Sequence, residues 1–120
     1  MNTLVDSGLL IAALNRGDQH HSWAVAELIG ARERRRPLLV PEVVVGETFT
    51  KMRYDRRVSA RRDAGAALAV FRLVDENPDV FQRLSSPPDA YSRAAALLAM
   101  YRDQSFSFVD AVVFLSGDDD

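Results

Sequence analysis

Thr3-Leu4-Val5-Asp6-Ser7-Gly8-Leu9-Leu10-Ile11-Ala12-Ala13-Leu14 is the stretch on which the fold turns. Its first four residues are short and β-capable, and they read as a buried strand. At Ser7-Gly8 the pattern changes, and residues 9–14 are rich in helix formers up to the stop at Gly17. A strand that runs straight into a helix is the opening of a β-α unit. Asp6 stands at the carboxyl end of that strand, where parallel α/β sheets place their functional crevice.

The alternation continues outward. Asp18 is expected to cap a second helix that carries Trp23, Ala24, Ala26, Leu28 and Ile29 and ends in the arginines 34–36. Leu38-Leu39-Val40, between two prolines, reads as a second strand. Pro41 suits the first turn of a helix over residues 42–54. Ser59 is expected to start a fourth helix, with Ala60, Ala64, Ala67, Leu68, Phe71 and Val74 at three- and four-residue steps. Asn77-Pro78 breaks it, and residues 79–84 alternate as a third strand. Pro87-Pro88 introduces a fifth helix with Ala94, Ala95, Leu97, Leu98 and Tyr101, and Ser107 a sixth over residues 108–115. The order β-α-α-β-α-α-β-α-α predicts one α/β domain over residues 1–120, with a parallel sheet flanked by helices in three layers.

Composition narrows the function classes. With 120 residues, 48% hydrophobic and 27% charged, the chain is expected to fold as a globular domain. No apolar run approaches the ~20 residues of a membrane helix, and the N-terminus lacks a basic leader segment. With no cysteine there is no disulfide framework and no thiolate zinc site, so the expected compartment is the cytoplasm. Charge is unevenly spread. Residues 32–62 hold ten basic and four acidic side chains, a balance of +6, and residues 63–120 hold four against ten, a balance of −6. Such polarity suits a polyanionic partner for the first half. His20 and His21 stand in polar company and are expected at the surface. Trp23 and the phenylalanines are expected in the core.

Three carboxylates sit where solvated helix faces do not account for them well. Asp6 closes the first strand, where it could also cap the helix. Glu47 lies among Val43, Val44, Val45, Phe49 and Met52, where it could also be an ordinary exposed glutamate. Asp110 is surrounded by Phe108, Val109, Ala111, Val112, Val113, Phe114 and Leu115, which predicts a buried helix and an unfavourable lone carboxylate. Ser107-Phe108-Val109-Asp110 also fits a capping box, in which Asp110 turns back to the Ser107 amide. If Asp6, Glu47 and Asp110 converge, their mutual repulsion calls for a cation. An all-oxygen site favours Mg2+ or Mn2+ over Zn2+, and Mg2+ shares its shell with substrate phosphates. That chemistry is phosphodiester chemistry.

These residues resemble a known family. Val5-Asp6-Ser7-Gly8 followed by residues 9–14 looks like the opening of PIN-domain ribonucleases. His20-His21 with Trp23-Ala24 resembles the second helix of bacterial VapC toxins. Pro41-Glu42-Val43-Val44-Val45-Gly46-Glu47-Thr48 and Phe106-Ser107-Phe108-Val109-Asp110-Ala111 look like their second and third acidic motifs. The likeness spans residues 3–115. It implies a PIN-like fold and a Mg2+-dependent (or Mn2+-dependent) endoribonuclease, the toxin of a toxin–antitoxin module. It further implies a cognate antitoxin as partner, RNA as substrate, and a homodimer. Carried over, Asp6, Glu47 and Asp110 are the catalytic, metal-binding acids. Ser7 and Ser107 are hydroxyls in or beside the ligand shell, and Arg53, Arg56, Arg57, Arg61 and Arg62 are candidate contacts to the RNA backbone or to an antitoxin. Family members run on to a further strand with a Thr-x-Asp motif that supplies a fourth acid. This chain ends in Gly117-Asp118-Asp119-Asp120, so that C-terminal strand is expected to be missing or truncated. The alternative reading is therefore a catalytically impaired PIN-like binding module that pairs with an antitoxin or RNA without cleaving. A receiver-like phosphoacceptor domain is disfavoured, because Asp6 has no acidic neighbour and the one lysine, Lys51, comes too early.

Overall fold

In the computed structural model, which describes residues 3–58, 64–103, 105 and 107–118, two parallel strands pair in register. These are β1 (Leu38–Pro41) and β2 (Phe81–Leu84), with Leu38 opposite Phe81 and Pro41 opposite Leu84. The other edge of β1 takes the N-terminal segment. Leu4 bridges Leu39 in parallel, the Val5 N–H donates to the Leu39 carbonyl at 2.8 Å, and the Leu39 N–H donates to the Thr3 carbonyl at 2.8 Å. The expected first strand is thus present as a short parallel pairing, and β1 is central, with all four residues buried.

Among the described residues six helices follow the expected order: α1 (Ser7–Leu14), α2 (His21–Arg34), α3 (Glu42–Tyr54), α4 (Ala64–Asp75), α5 (Ala90–Met100) and α6 (Phe108–Asp118). Asp6 caps α1, its Oδ1 accepting the Leu9 N–H at 3.0 Å. The helix is short but buries Leu9, Leu10, Ile11 and Ala12, so packing holds it where length cannot. Pro41, at φ −63°, delivers the chain into α3. That helix buries Val44, Val45, Thr48 and Met52 and packs against α1, α4, α6 and β1, which makes it the hub of the domain. The main core joins Val5, Leu10, Val40, Val44, Val70 and Phe81; a satellite core of Ala94, Ala111, Val112 and Leu115 lies between α5 and α6. No helix among the described residues is long and apolar enough to cross a membrane.

Several local expectations are corrected. Asp18 does not cap α2: its Oδ1 accepts the His20 N–H at 2.7 Å in a turn, and the helix starts at His21. α2 then ends at Arg34, with Arg35 in the left-handed region at φ 54°. The third strand starts at Phe81, because the Asn77 carbonyl still takes the Val80 and Phe81 N–H groups in a turn. α6 runs on to Asp118. Ser59 and Ala60, the expected start of the fourth helix, lie outside the described residues.

Trp23 is not core but 55% exposed. α2 buries only Ala24 and Ala31, and Trp23 lies ~100° around the helix from Ala24. Phe81 is buried, whereas Phe108 and Phe114 are exposed. On α4 the buried stripe is Ala67, Val70 and Val74, which turns Leu68 outward and leaves Phe71 at the rim, its ring 5.6 Å from that of Phe49. Ile29 and Tyr101 are exposed too. His20 is at the surface as expected. His21 is half-buried, its Nδ1 2.7 Å from the Ala12 carbonyl, which ties α2 to α1.

Leu10 and Trp23 should therefore separate sharply in urea unfolding. Leu10→Ala empties a fully buried site and is expected to cost about 2–5 kcal/mol. Trp23→Ala is expected to cost less than about 1 kcal/mol.

Candidate functional site

Asp6, Ser7, Glu47, Lys51, Ser105 and Asp110 line one open cavity of about 530 Å³, floored by Val44, Val109 and Val113. The three acids come from the start of α1, the middle of α3 and the first turn of α6. Parallel pairing brings the first two together, since the N-terminal segment and β1 both leave the sheet at the same end. Packing of α6 on α3 adds the third.

Each acid has a local anchor. Asp6 is exposed and holds the Leu9 amide through Oδ1. Gly8 lies against it: a Cβ there would stand 3.3 Å from Asp6 Oδ1, so a larger side chain would crowd the carboxylate. Asp110 completes the capping box. Its Oδ2 accepts the Ser107 N–H at 3.0 Å, and Ser107 Oγ accepts the Asp110 N–H at 3.0 Å. The expectation of a buried Asp110 is corrected: the carboxylate is exposed, because α6, although apolar nearly all round, buries only Ala111, Val112 and Leu115 and turns Phe108 and Phe114 to solvent as well. Glu47 is half-buried and pairs with Lys51, Nζ to Oε1 at 3.3 Å.

Lys51 is the residue that reading the sequence missed. Its Nζ also donates to Ser7 Oγ at 3.0 Å, across 44 positions of chain, and Ser7 is itself buried. One ammonium therefore joins α1 and α3 inside the acidic cavity. The available signal was its place four residues after Glu47, combined with its being the chain's one lysine.

The donor set suits a hard divalent cation, since three carboxylates and a serine hydroxyl face one space with no thiolate. The spacing is wider than a preformed cage: among the described residues no three acidic or imidazole side chains stand close enough together to hold an ion. Asp6, Glu47 and Asp110 share a wall, and an ion would have to draw them inward.

Of the candidate RNA contacts, Arg56 is exposed, and the Arg53 guanidinium lies 5.0 Å above the Tyr54 ring. Arg57 is exposed but engaged. Its guanidinium forks onto the Asp55 carboxylate, Nε to Oδ1 and Nη2 to Oδ2 both at 3.2 Å, while its N–H donates to the same Oδ1. These bonds hold the Asp55 carboxyl below its ordinary range and raise Arg57. Arg61 and Arg62 lie outside the described residues.

The PIN domain profile matches residues 3–115. The structure is similar to that of VapC20 from Mycobacterium tuberculosis, described as a sarcin-ricin loop cleaving toxin. The TM-score is 0.69 and the identity 25%, and the match covers 94% of this chain and 78% of that one. No curated protein sequence matches the chain.

Two outcomes follow from this geometry. Asn caps a helix as well as Asp does, so Asp6→Asn is expected to keep stability within about 0.5 kcal/mol, while Asp6→Ala costs about 1 kcal/mol in urea unfolding. The Asp55–Arg57 pair stabilises the fold in full above the ordinary carboxylate range and is lost as pH falls through the depressed value. Asp55→Asn should therefore flatten the urea midpoint against pH only below about pH 4, and high salt should shrink the difference.

Proposed function

The chain belongs to the PIN-domain family, and from that premise we propose that it is a VapC-type endoribonuclease toxin that hydrolyses RNA phosphodiester bonds with Mg2+ or Mn2+. The single observation that carries the reading is that Asp6, Glu47 and Asp110, far apart along the chain, face one cavity at the carboxyl end of a parallel sheet. The likeness to VapC20 supports the same activity. Residues 1–120 act as one PIN-like domain in the cytoplasm, forming a homodimer and neutralised by a cognate antitoxin.

Asp6, Glu47 and Asp110 would hold the metal. When bound, a divalent ion supplies Lewis acidity toward a phosphoryl oxygen and lowers the pKa of coordinated water. The protein's own part is orientation. Asp6 and Asp110 are fixed by the backbone amides of Leu9 and Ser107, each at a helix N-terminus, so one carboxylate oxygen is committed while the other is free to turn into the cavity. Ser7 and Ser107 set the hydroxyls beside the acids. Arg53 and Arg56, on and just after the end of α3, would meet the RNA backbone. VapC20 is described as cleaving the sarcin-ricin loop, so a single-stranded loop in a folded RNA is the first substrate to test.

A binding module that pairs without cleaving is the second reading, favoured by the wide spacing of the acids. Cleavage of a loop RNA, with and without Mg2+, decides between them. The wild type is expected to cut only with the ion, and Asp6→Asn and Asp110→Asn to lose on the order of a hundred-fold or more in rate while staying folded. Absence of metal-dependent cleavage by the wild type would leave the binding module.

A further inference from the structure

We propose that Lys51 is a tethered counter-ion of the acidic cavity: its ammonium and a divalent cation compete for Glu47, so Lys51 sets the affinity of the site for metal. The inference rests on the metal-dependent reading above. Its basis is the placement of one nitrogen. Lys51 Nζ touches Glu47 Oε1 at 3.3 Å and Ser7 Oγ at 3.0 Å, and it lines the same cavity as Asp6 and Asp110.

An ordinary i,i+4 pair on a helix surface would need only Glu47, and both side chains would wave in solvent. Here a second bond crosses to Ser7, which is buried at the start of α1, and turns the ammonium inward. It thereby places a positive charge among three carboxylates that would otherwise repel one another.

A divalent ion held by Glu47 through Oε1, or through both oxygens, needs lone pairs that the ammonium already faces. Two cations at one carboxylate oxygen repel at the reduced dielectric of a half-buried site, so arrival of the ion favours departure of the ammonium. The residue type suits this exchange. Every other side-chain cation outside the two histidines is arginine, with a rigid fork that would lock onto a carboxylate. Lysine is a compact charge on a flexible four-carbon stem, bonded here by single contacts it can give up. Its side chain is 44% exposed, so it has room to swing out.

Calorimetric titration with MnCl2 reads the competition directly, without RNA or turnover. Lys51→Met is expected to bind Mn2+ about ten-fold or more tighter than wild type, Lys51→Gln to follow it, and Lys51→Arg to stay near wild type or bind more weakly. Asp6→Asn is expected to bind poorly. Circular dichroism confirms that each variant is folded, and Lys51→Gln carries the test if Lys51→Met is not. The single lysine offers a second readout, since 13Cε-lysine labelling gives one side-chain resonance that belongs to Lys51. That resonance should shift as Mg2+ saturates the wild type and stay put in Asp6→Asn. If both neutral variants bind Mn2+ no tighter than wild type while Asp6→Asn still loses binding, the counter-ion inference is overturned and the metal site stands. The inference is overturned in the same way if Mg2+ binds and the lysine signal does not move. If neither wild type nor the neutral variants bind, or Asp6→Asn binds unchanged, the metal-site reading falls and the inference with it.

Discussion

Parallel pairing of the N-terminal segment with Leu39 is the constraint on which the site depends. Two backbone hydrogen bonds, Val5 to Leu39 and Leu39 to Thr3, make adjacent chain segments run the same way. Parallel segments leave a sheet at the same end. Asp6 therefore turns into α1 beside the point where Pro41 turns into α3, and the helix that carries Glu47 starts next to the helix that Asp6 caps. An antiparallel pairing would send these two acids to opposite ends. α6 is set later, through its packing on α3 and α5, and adds Asp110 to a wall that the strands have already placed.

Three acids on one wall pose a charge problem, and the fold relieves much of it with its own groups. Asp6 and Asp110 each accept a backbone amide at the N-terminus of a helix, where the helix dipole favours negative charge. Glu47 is met by Lys51. Both Asp6 and Asp110 are exposed, so water relieves them further. Capping, solvation and one lysine let the acids sit around the cavity without being clustered, so the close repulsion that convergence would bring does not arise in this arrangement. The same features leave the acids spread, which suits a site that tightens around an ion better than one that is rigid beforehand.

Capping explains why the candidate acids resemble ordinary structural ones. Asp6 fits an N-cap and Asp110 fits a capping box, and each is one. Each cap uses one carboxylate oxygen, so the proposed metal-binding role would fall to the other and neither role excludes the other. Glu47 and Lys51 form an i,i+4 pair, and the approach of Ser7 from α1 separates it from a routine one.

Element type and order were legible in the residues because they depend on local physics. Pro41 and the 42–54 run defined α3 at both ends, and Asn77-Pro78 marked the end of α4. Ser107 to Asp110 announced the start of α6 through bonds that span three residues. What each helix turns inward was less legible, because it depends on partners far away in the chain. Trp23 is expected in the core, but α2 turns Ala24 and Ala31 inward as it packs on α1 and leaves Trp23 at the surface. Leu68 and Phe114 went outward for the same kind of reason. The sequence alone determined the α/β order and supplied the three acids, since both follow from residue type and short-range spacing. Only the tertiary structure decided that the acids share a cavity with Lys51, because that ammonium's contact with Ser7 exists only once α1 and α3 are packed together.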